Sequence, residues 1–182
     1  MINIKKILVP SDLTDVSVPA IGYAISLAKK HGAEVSVLHV LPMKAMQERL
    51  SQPYVTEDVV VPGSLAGRVQ DFDAIRETKN RVVHDFLEQK IGAEILRSVK
   101  TNPLVRFGKT AKEIVAAAKE ERCDLLVMAS RGSGLARLFR GSLTERAARH
   151  APCPVVTIQP SAEVRTEQDE RVPVTLIDRW AA

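Results

Sequence analysis

Short, largely apolar runs stop at a proline or a polar loop, and each gives way to a segment with apolar residues at helical spacing; this alternation restricts the fold more than any other feature. Residues 4–9 (IKKILV) form a β-branched run that halts at Pro10, as a buried strand should. After the loop SDLTD, Val18, Ile21, Ile25 and Ala28 recur at helical spacing through residue 30. Pro19 is tolerated there because it falls in the first turn, and Gly32 lies just past the end. Residues 34–41 (EVSVLHVL) then read as a second strand, closed by Pro42. Strands this apolar, joined through a helix, belong to a parallel sheet covered on both faces. The expected fold is an open, doubly wound α/β sheet with helices on both faces.

The pattern continues with one interruption. Residues 42–70 carry Pro53, Pro62, Gly63 and Gly67 around an apolar fragment at 59–61, and a connection of that length is functional or mobile. Ile75, Val82, Val83, Phe86 and Leu87 predict an amphipathic helix from residue 73 to near Gly92. A third strand belongs within 95–107, interrupted by Pro103. Thr110-x-x-Glu113 reads as a capping box opening a helix with Ile114, Val115, Ala117 and Ala118. Residues 123–128 (CDLLVM) form a buried strand, 129–142 a glycine-bearing loop, and Ser142-x-x-Glu145 a second capping box whose helix ends before Pro152. Residues 154–158 (PVVTI) are the last strand. Five strands and four helices therefore alternate over a domain of residues 1–160, leaving 161–182 as a C-terminal extension. Its segment 172–180 (VPVTLIDRW) is apolar enough to lie on a sheet edge or on a partner subunit rather than fray.

Composition excludes several classes. Apolar residues make up 45% of the chain and aromatics only 4%, which argues for one globular domain with an aliphatic core and against disorder. No apolar run reaches the ~20 residues of a membrane span. The start MINIKKILVP lacks the apolar core and cleavage site of a signal peptide. Cys123 and Cys153, each beside a strand-like run, read as reduced structural thiols, so a cytoplasmic location is expected. Five arginines against the single acid Glu145 fall within residues 131–149. No aromatic stacking platform or nucleic-acid motif accompanies them, so local anion binding reads better than nucleic-acid binding.

Two loops carry candidate chemistry, and both follow strands. In open parallel sheets ligands sit beyond the carboxyl ends of the strands, where strand order reverses. The first loop offers Pro10, Ser11 and Asp12. The other offers Ala129, Ser130, Arg131, Gly132, Ser133 and Gly134, then Gly141 and Ser142 at a helix start. Glycines let backbone N–H groups approach an anion, and a helix N-terminus adds orphan donors and a favourable dipole. Asp12 suits ribose hydroxyls or an exocyclic amine. The plainer alternatives are that the glycines only shape a turn, Ser142 only caps a helix, Asp12 only closes a turn and the arginines only face solvent. His39, at the end of the second strand, reads as a packed histidine rather than a base. His31, His84 and His150 fall in unrelated segments, and no metal-ligand spacing appears.

KKILVPSD, VSVLHV, Gly108 with GKTAKEIVAAAKEERCDLLVMASRG, and LARLFRGSLTERAARHAPCPVVTI together resemble the universal stress protein family over residues 3–159. The resemblance implies a five-stranded sheet of order 3-2-1-4-5. It also implies a homodimer paired through the last strand, here Val155, Val156, Thr157 and Ile158. Nucleotide-binding members of the family carry G-x2-G-x9-G-S/T after strand four. Carried over, the implied site comprises Pro10, Ser11, Asp12, Val40, Ala129, Ser130, Arg131, Gly132, Gly141, Ser142 and Leu143. The implied ligand is ATP or another adenine nucleotide, accompanied by magnesium. Two departures stand out: Ala129 takes the place of the first glycine, and eight residues, 133–140, separate Gly132 from Gly141 where the pattern has nine.

The leading expectation is a nucleotide-responsive stress or signalling module acting by binding and dimerisation, with neither membrane nor nucleic acid as partner. A pure interaction protein of the same fold is the alternative. Enzymatic activity is not expected, because no Walker-type lysine and no well-placed general base accompany the phosphate loop.

Overall fold

The computed structural model describes residues 3–43, 54–55, 60–61, 69–130, 143–159 and 175–177. The chain runs through β1 (Lys6–Pro10), a 3-10 turn (Asp15–Ser17), α1 (Val18–His31), β2 (Glu34–Leu41), a small hairpin of β3 (Tyr54–Val55) and β4 (Val60–Val61), and α2 (Val69–Ile91). It continues with α3 (Ala93–Ser98), β5 (Thr101–Phe107), α4 (Thr110–Glu120), β6 (Leu125–Ala129), α5 (Leu143–His150), β7 (Val155–Ile158) and β8 (Thr175–Ile177). The main sheet has the order β5-β2-β1-β6-β7-β8. Its first five strands are parallel and give the expected 3-2-1-4-5 order. The sixth, β8, pairs antiparallel on the outside of β7.

Period-two alternation along the strands divides the core into two layers. Ile7 and Val9, Val35 and Val37, Leu125 and Val127, and Val156 and Ile158 share one cluster with Ala20, Ile21, Ala24, Ile25 and Ala28 of α1 and Val83 and Leu87 of α2. Leu8, Leu38, Leu126, Met128 and Val155 share the other with Ile114, Ala117 and Ala118 of α4 and Ala147 of α5. The alanine rows on α1 and α4 let these helices sit close to the sheet. Gly32 ends α1 in the left-handed region at φ 64°, where a side chain would be strained.

At the amino end of the sheet, charge locks the strands together. The Asp124 carboxylate accepts the backbone N–H groups of Lys5 at 2.8 Å and Lys6 at 2.9 Å, tying the start of β1 to the approach to β6. Glu34 meets Lys100 at 2.6 Å and Lys6 at 3.3 Å. Lys100 foremost, assisted by Lys6, holds the Glu34 carboxyl below its ordinary range against a smaller opposing effect of burial.

Several details depart from the sequence reading. Pro103 lies inside β5 without breaking it. The N–H of Gly108 points to Leu41 of β2, so by strand alternation position 103 faces the outer edge, where no donor is required. The short helix α3 and the hairpin β3–β4 were not anticipated. The Thr110 capping box does not form: Lys109 precedes the helix in extended conformation, and no side chain caps it. Glu113 instead folds back over Gly108, where an added Cβ would come within 2.6 Å of its carboxylate. Ser142 of the second box lies outside the described residues. Finally, the outer edge of β7, expected to be open for pairing with a second subunit, is occupied by β8 of the same chain.

Cys123 is buried and Cys153 half-buried, and both are free thiols. Burial, reinforced by the neighbouring Cys153, pushes the Cys123 thiol up to about 12, and burial pushes Cys153 up to about 11. A thiol whose pKa is raised by folding keeps its proton longer than it does in the unfolded chain. Its contribution is therefore complete below about pH 8.5, the free-thiol value, and is lost as pH rises toward the folded values. Folded protein should react slowly with a thiol reagent at pH 8, and its melting temperature should fall from pH 9 to pH 11. A Cys123→Ala, Cys153→Ala double variant should show a smaller fall.

Candidate functional site

The site forms where the two central strands part. Registered pairing between β1 and β6 is limited to Ile7↔Leu125 and Leu8↔Leu126. Beyond these pairs the strands keep only their outer neighbours: β1 pairs with β2 as far as Pro10↔Leu38, and β6 with β7 as far as Ala129↔Ile158. The sequence supplies the reason. Successive N–H groups of a strand point to opposite sides, and that of Ser11 points to Leu38 of β2 at 2.8 Å. Position 10 is therefore where the next donor toward β6 would stand, and a proline has none. On the other side of the gap Ser130 donates its N–H outward, to Ile158 of β7, at 2.8 Å. A crevice thus opens at the carboxyl end of the sheet where the strand order reverses, the place at which such sheets bind ligands.

The loop forming one lip is held by a chain of hydroxyls. Ser17 Oγ donates to the Thr14 carbonyl at 2.8 Å, which uses its only hydrogen. In the buried 2.7 Å contact between Ser11 Oγ and Ser17 Oγ, Ser11 must therefore be the donor. Ser11 Oγ in turn accepts the N–H of Leu13 at 3.0 Å. The bonds run in one direction, from Leu13 through Ser11 and Ser17 to Thr14, an arrangement in which each bond polarises the next. They hold Leu13 in the left-handed region at φ 59°, which costs a non-glycine residue roughly 1–2 kcal/mol. The Leu13 side chain packs against the first core cluster and offsets part of that cost.

Asp12 stands exposed at the tip of this loop. Its Oδ1 accepts the Thr14 N–H at 3.2 Å and the Thr14 hydroxyl at 2.7 Å. Asp12 is thus a turn residue, as the plainer reading held, and the same two bonds orient its carboxylate at the lip. Behind it, His39 Nδ1 lies 3.0 Å from the Ser11 carbonyl, so the ring donates there and ties the loop to β2. That fits a packed histidine. Val40 and Leu143, from β2 and the start of α5, both pack against the second core cluster. Ala129 packs against the first cluster, and Ser130 is buried.

The structure therefore gathers Pro10, Ser11, Asp12, Val40, Ala129, Ser130 and Leu143 around the carboxyl ends of β1, β2 and β6. Arg131, Gly132, Gly141 and Ser142 lie outside the described residues. Ser17, Thr14 and His39, which fix the lip, were not among the expected site residues. The spacing of Ser11, Thr14 and Ser17, three apart across a strand-to-helix turn, marks the hydroxyl residues in the sequence but not the bonds they make, and nothing local marks His39. Among the described residues no three His, Cys, Asp or Glu side chains cluster as metal ligands, and no helix is long and apolar enough to cross a membrane.

The strand order and the parting of the central strands define a class of fold, the open doubly wound α/β domain with its switch point between β1 and β6. Residues 3–159 match the family model described as the universal stress protein family. The chain belongs to that family. Universal stress protein YxiE of Bacillus subtilis is 31% identical over 160 residues, which cover 85% of this chain and 99% of that protein. A universal stress protein from Archaeoglobus fulgidus shares the fold at a TM-score of 0.54 with 25% identity; the match covers 85% of this chain but only 44% of the longer relative. A universal stress protein crystallised in complex with cAMP shares it at 0.55 with 17% identity, covering 87% of this chain and 99% of that one.

Removing one member of the hydroxyl chain should expose its role. Ser17→Ala leaves the buried Ser11 hydroxyl without its acceptor, at about 1–3 kcal/mol. For a domain of this size that lowers the melting temperature by roughly 2–4 °C per kcal/mol, measured by calorimetry. Ser26→Ala, which removes an exposed intrahelical bond to Gly22, should change it little.

Proposed function

We propose that this chain binds an adenine nucleotide in the crevice between β1 and β6, and that it is a cytoplasmic, nucleotide-responsive module rather than an enzyme. The observation that carries the reading is the parting of the two central strands after Leu8 and Leu126. It creates a recess with the oriented Asp12 carboxylate on one side and the entry to the 131–142 segment on the other. Asp12 suits ribose hydroxyls, and the apolar side chains of Val40 and Leu143 suit a base. Gly132, Gly141 and Ser142 are of the residue types that cradle phosphate oxygens on backbone N–H groups. A protein of the same fold has been crystallised with cAMP, which supports an adenine ligand. The arginines within residues 131–149 favour an anion. Catalysis is left out of the proposal because the carboxylate at this lip is already engaged in closing a turn.

The second reading, a nucleotide-free interaction protein, is favoured by Ala129 at the first glycine position and by the one-residue-shorter spacing from Gly132 to Gly141. Calorimetric titration with ATP, ADP, AMP and cAMP, with and without magnesium, separates the two. The proposal expects saturable binding by at least one nucleotide. Asp12→Ala should weaken it about 10–100-fold, as loss of a hydrogen bond to a charged group does, and Gly141→Phe should abolish ligand-dependent thermal stabilisation. Absence of heat with all four nucleotides at millimolar concentration contradicts the proposal and leaves the interaction protein.

A further inference from the structure

We propose that β8 is an edge cap which competes with a second copy of this chain for β7, so that the homodimer through Val155–Ile158 forms only when the cap has left. Three observations carry this. First, β7 is the last of the parallel strands, and without β8 its outer N–H and C=O groups would line the end of the sheet. Its sequence is Val-Val-Thr-Ile, with none of the lysines, prolines or inward charges by which proteins protect open edges. All four residues are buried, at 4% exposure or less. Such an edge needs a strand against it.

Second, the strand that covers it comes from outside the common domain. The family match ends at residue 159, whereas the pairs Val155↔Ile177, Val156↔Leu176 and Thr157↔Thr175 bring in the C-terminal extension. This is the one antiparallel pairing of the main sheet among the described residues. The domain proper leaves the β7 edge open, and this chain carries its own segment to close it.

Third, the groups that β8 covers suit a second copy equally well. Leu126 and Ser130 donate their N–H groups to the Pro154 and Ile158 carbonyls, so by strand alternation the backbone groups of Val155 and Thr157 face outward, where they meet Ile177 and Thr175. Two β7 strands related by a two-fold axis would pair antiparallel along all four residues and present the same surface to each other, as an isologous dimer requires. A second copy is therefore the occupant this edge fits once β8 is released. The inference rests on the sheet edge and not on the crevice, so its failure would leave the nucleotide reading untouched.

Light scattering after size exclusion, at micromolar protein, tests it. The full chain should run at the mass of one copy, and a chain ending at Gln159 at twice the mass of its own copy. Adding a synthetic peptide of residues 172–180 to the shortened chain should return it to the single-copy mass. Because shortening can impair folding, Ile177→Pro in the full chain serves as a second release of the cap. The backbone groups of Val155 face β8, because those of Pro154 and Ile158 face β6, so its partner Ile177 donates into the ladder. A proline there removes that donor, and the variant should also dimerise. A full chain already at twice its mass, or single-copy mass in both released forms, overturns the proposal.

Discussion

Everything at the carboxyl end of this sheet depends on how β1 and β6 are joined. They are bound firmly at the amino end, where Asp124 grips two consecutive N–H groups of the entering strand, and they share only two registered pairs before separating. A proline at the end of β1 removes the donor that would have continued the ladder, and each strand then follows its outer neighbour. The recess is thus a consequence of backbone hydrogen-bond supply and does not depend on large side chains. This explains how a core with so few aromatics can still present a shaped site.

The lip that follows β1 is built for stiffness. One directional run of hydroxyl bonds fixes the turn after β1, a leucine is held in a left-handed conformation, and a histidine from the adjacent strand braces the loop carbonyl. A loop fixed in this way loses little entropy when a ligand arrives, which is how preorganised sites gain affinity. Two apolar side chains from different elements, Val40 and Leu143, pack against one of the two core layers. The surroundings of the recess are therefore continuous with the core.

Much of this was legible in the sequence, because the signals were backbone signals. Pro10, Pro42 and Gly32 marked where strands and a helix end, and the β-branched runs between them formed the expected parallel strands in the expected order. The capping box at Thr110 misled, because Glu113 found a better place against Gly108, a contact that only the folded loop creates. Pro103 looked like a break, but it sits on an edge strand with its missing donor facing outward, which no local pattern reveals. Asp12 and Val40 could be placed from the motif. The bracing by Ser17 and His39 could not, since it depends on which hydroxyl donates to which and on a neighbouring strand. The cap on β7 was one of two options for an apolar tail, and register against Val155, Val156 and Thr157 decided it.

Backbone amide chemical shifts of isotopically labelled protein, followed by NMR during titration with ATP, test the central claim most directly. The account predicts that the largest changes fall on Asp12, Leu13, Val40, Ala129 and Ser130, at the parted end of β1 and β6. Lys5, Lys6 and Asp124, at the clamped end, should scarcely move. Shifts that gather at the clamped end or along β5, or none at saturating nucleotide, would contradict it.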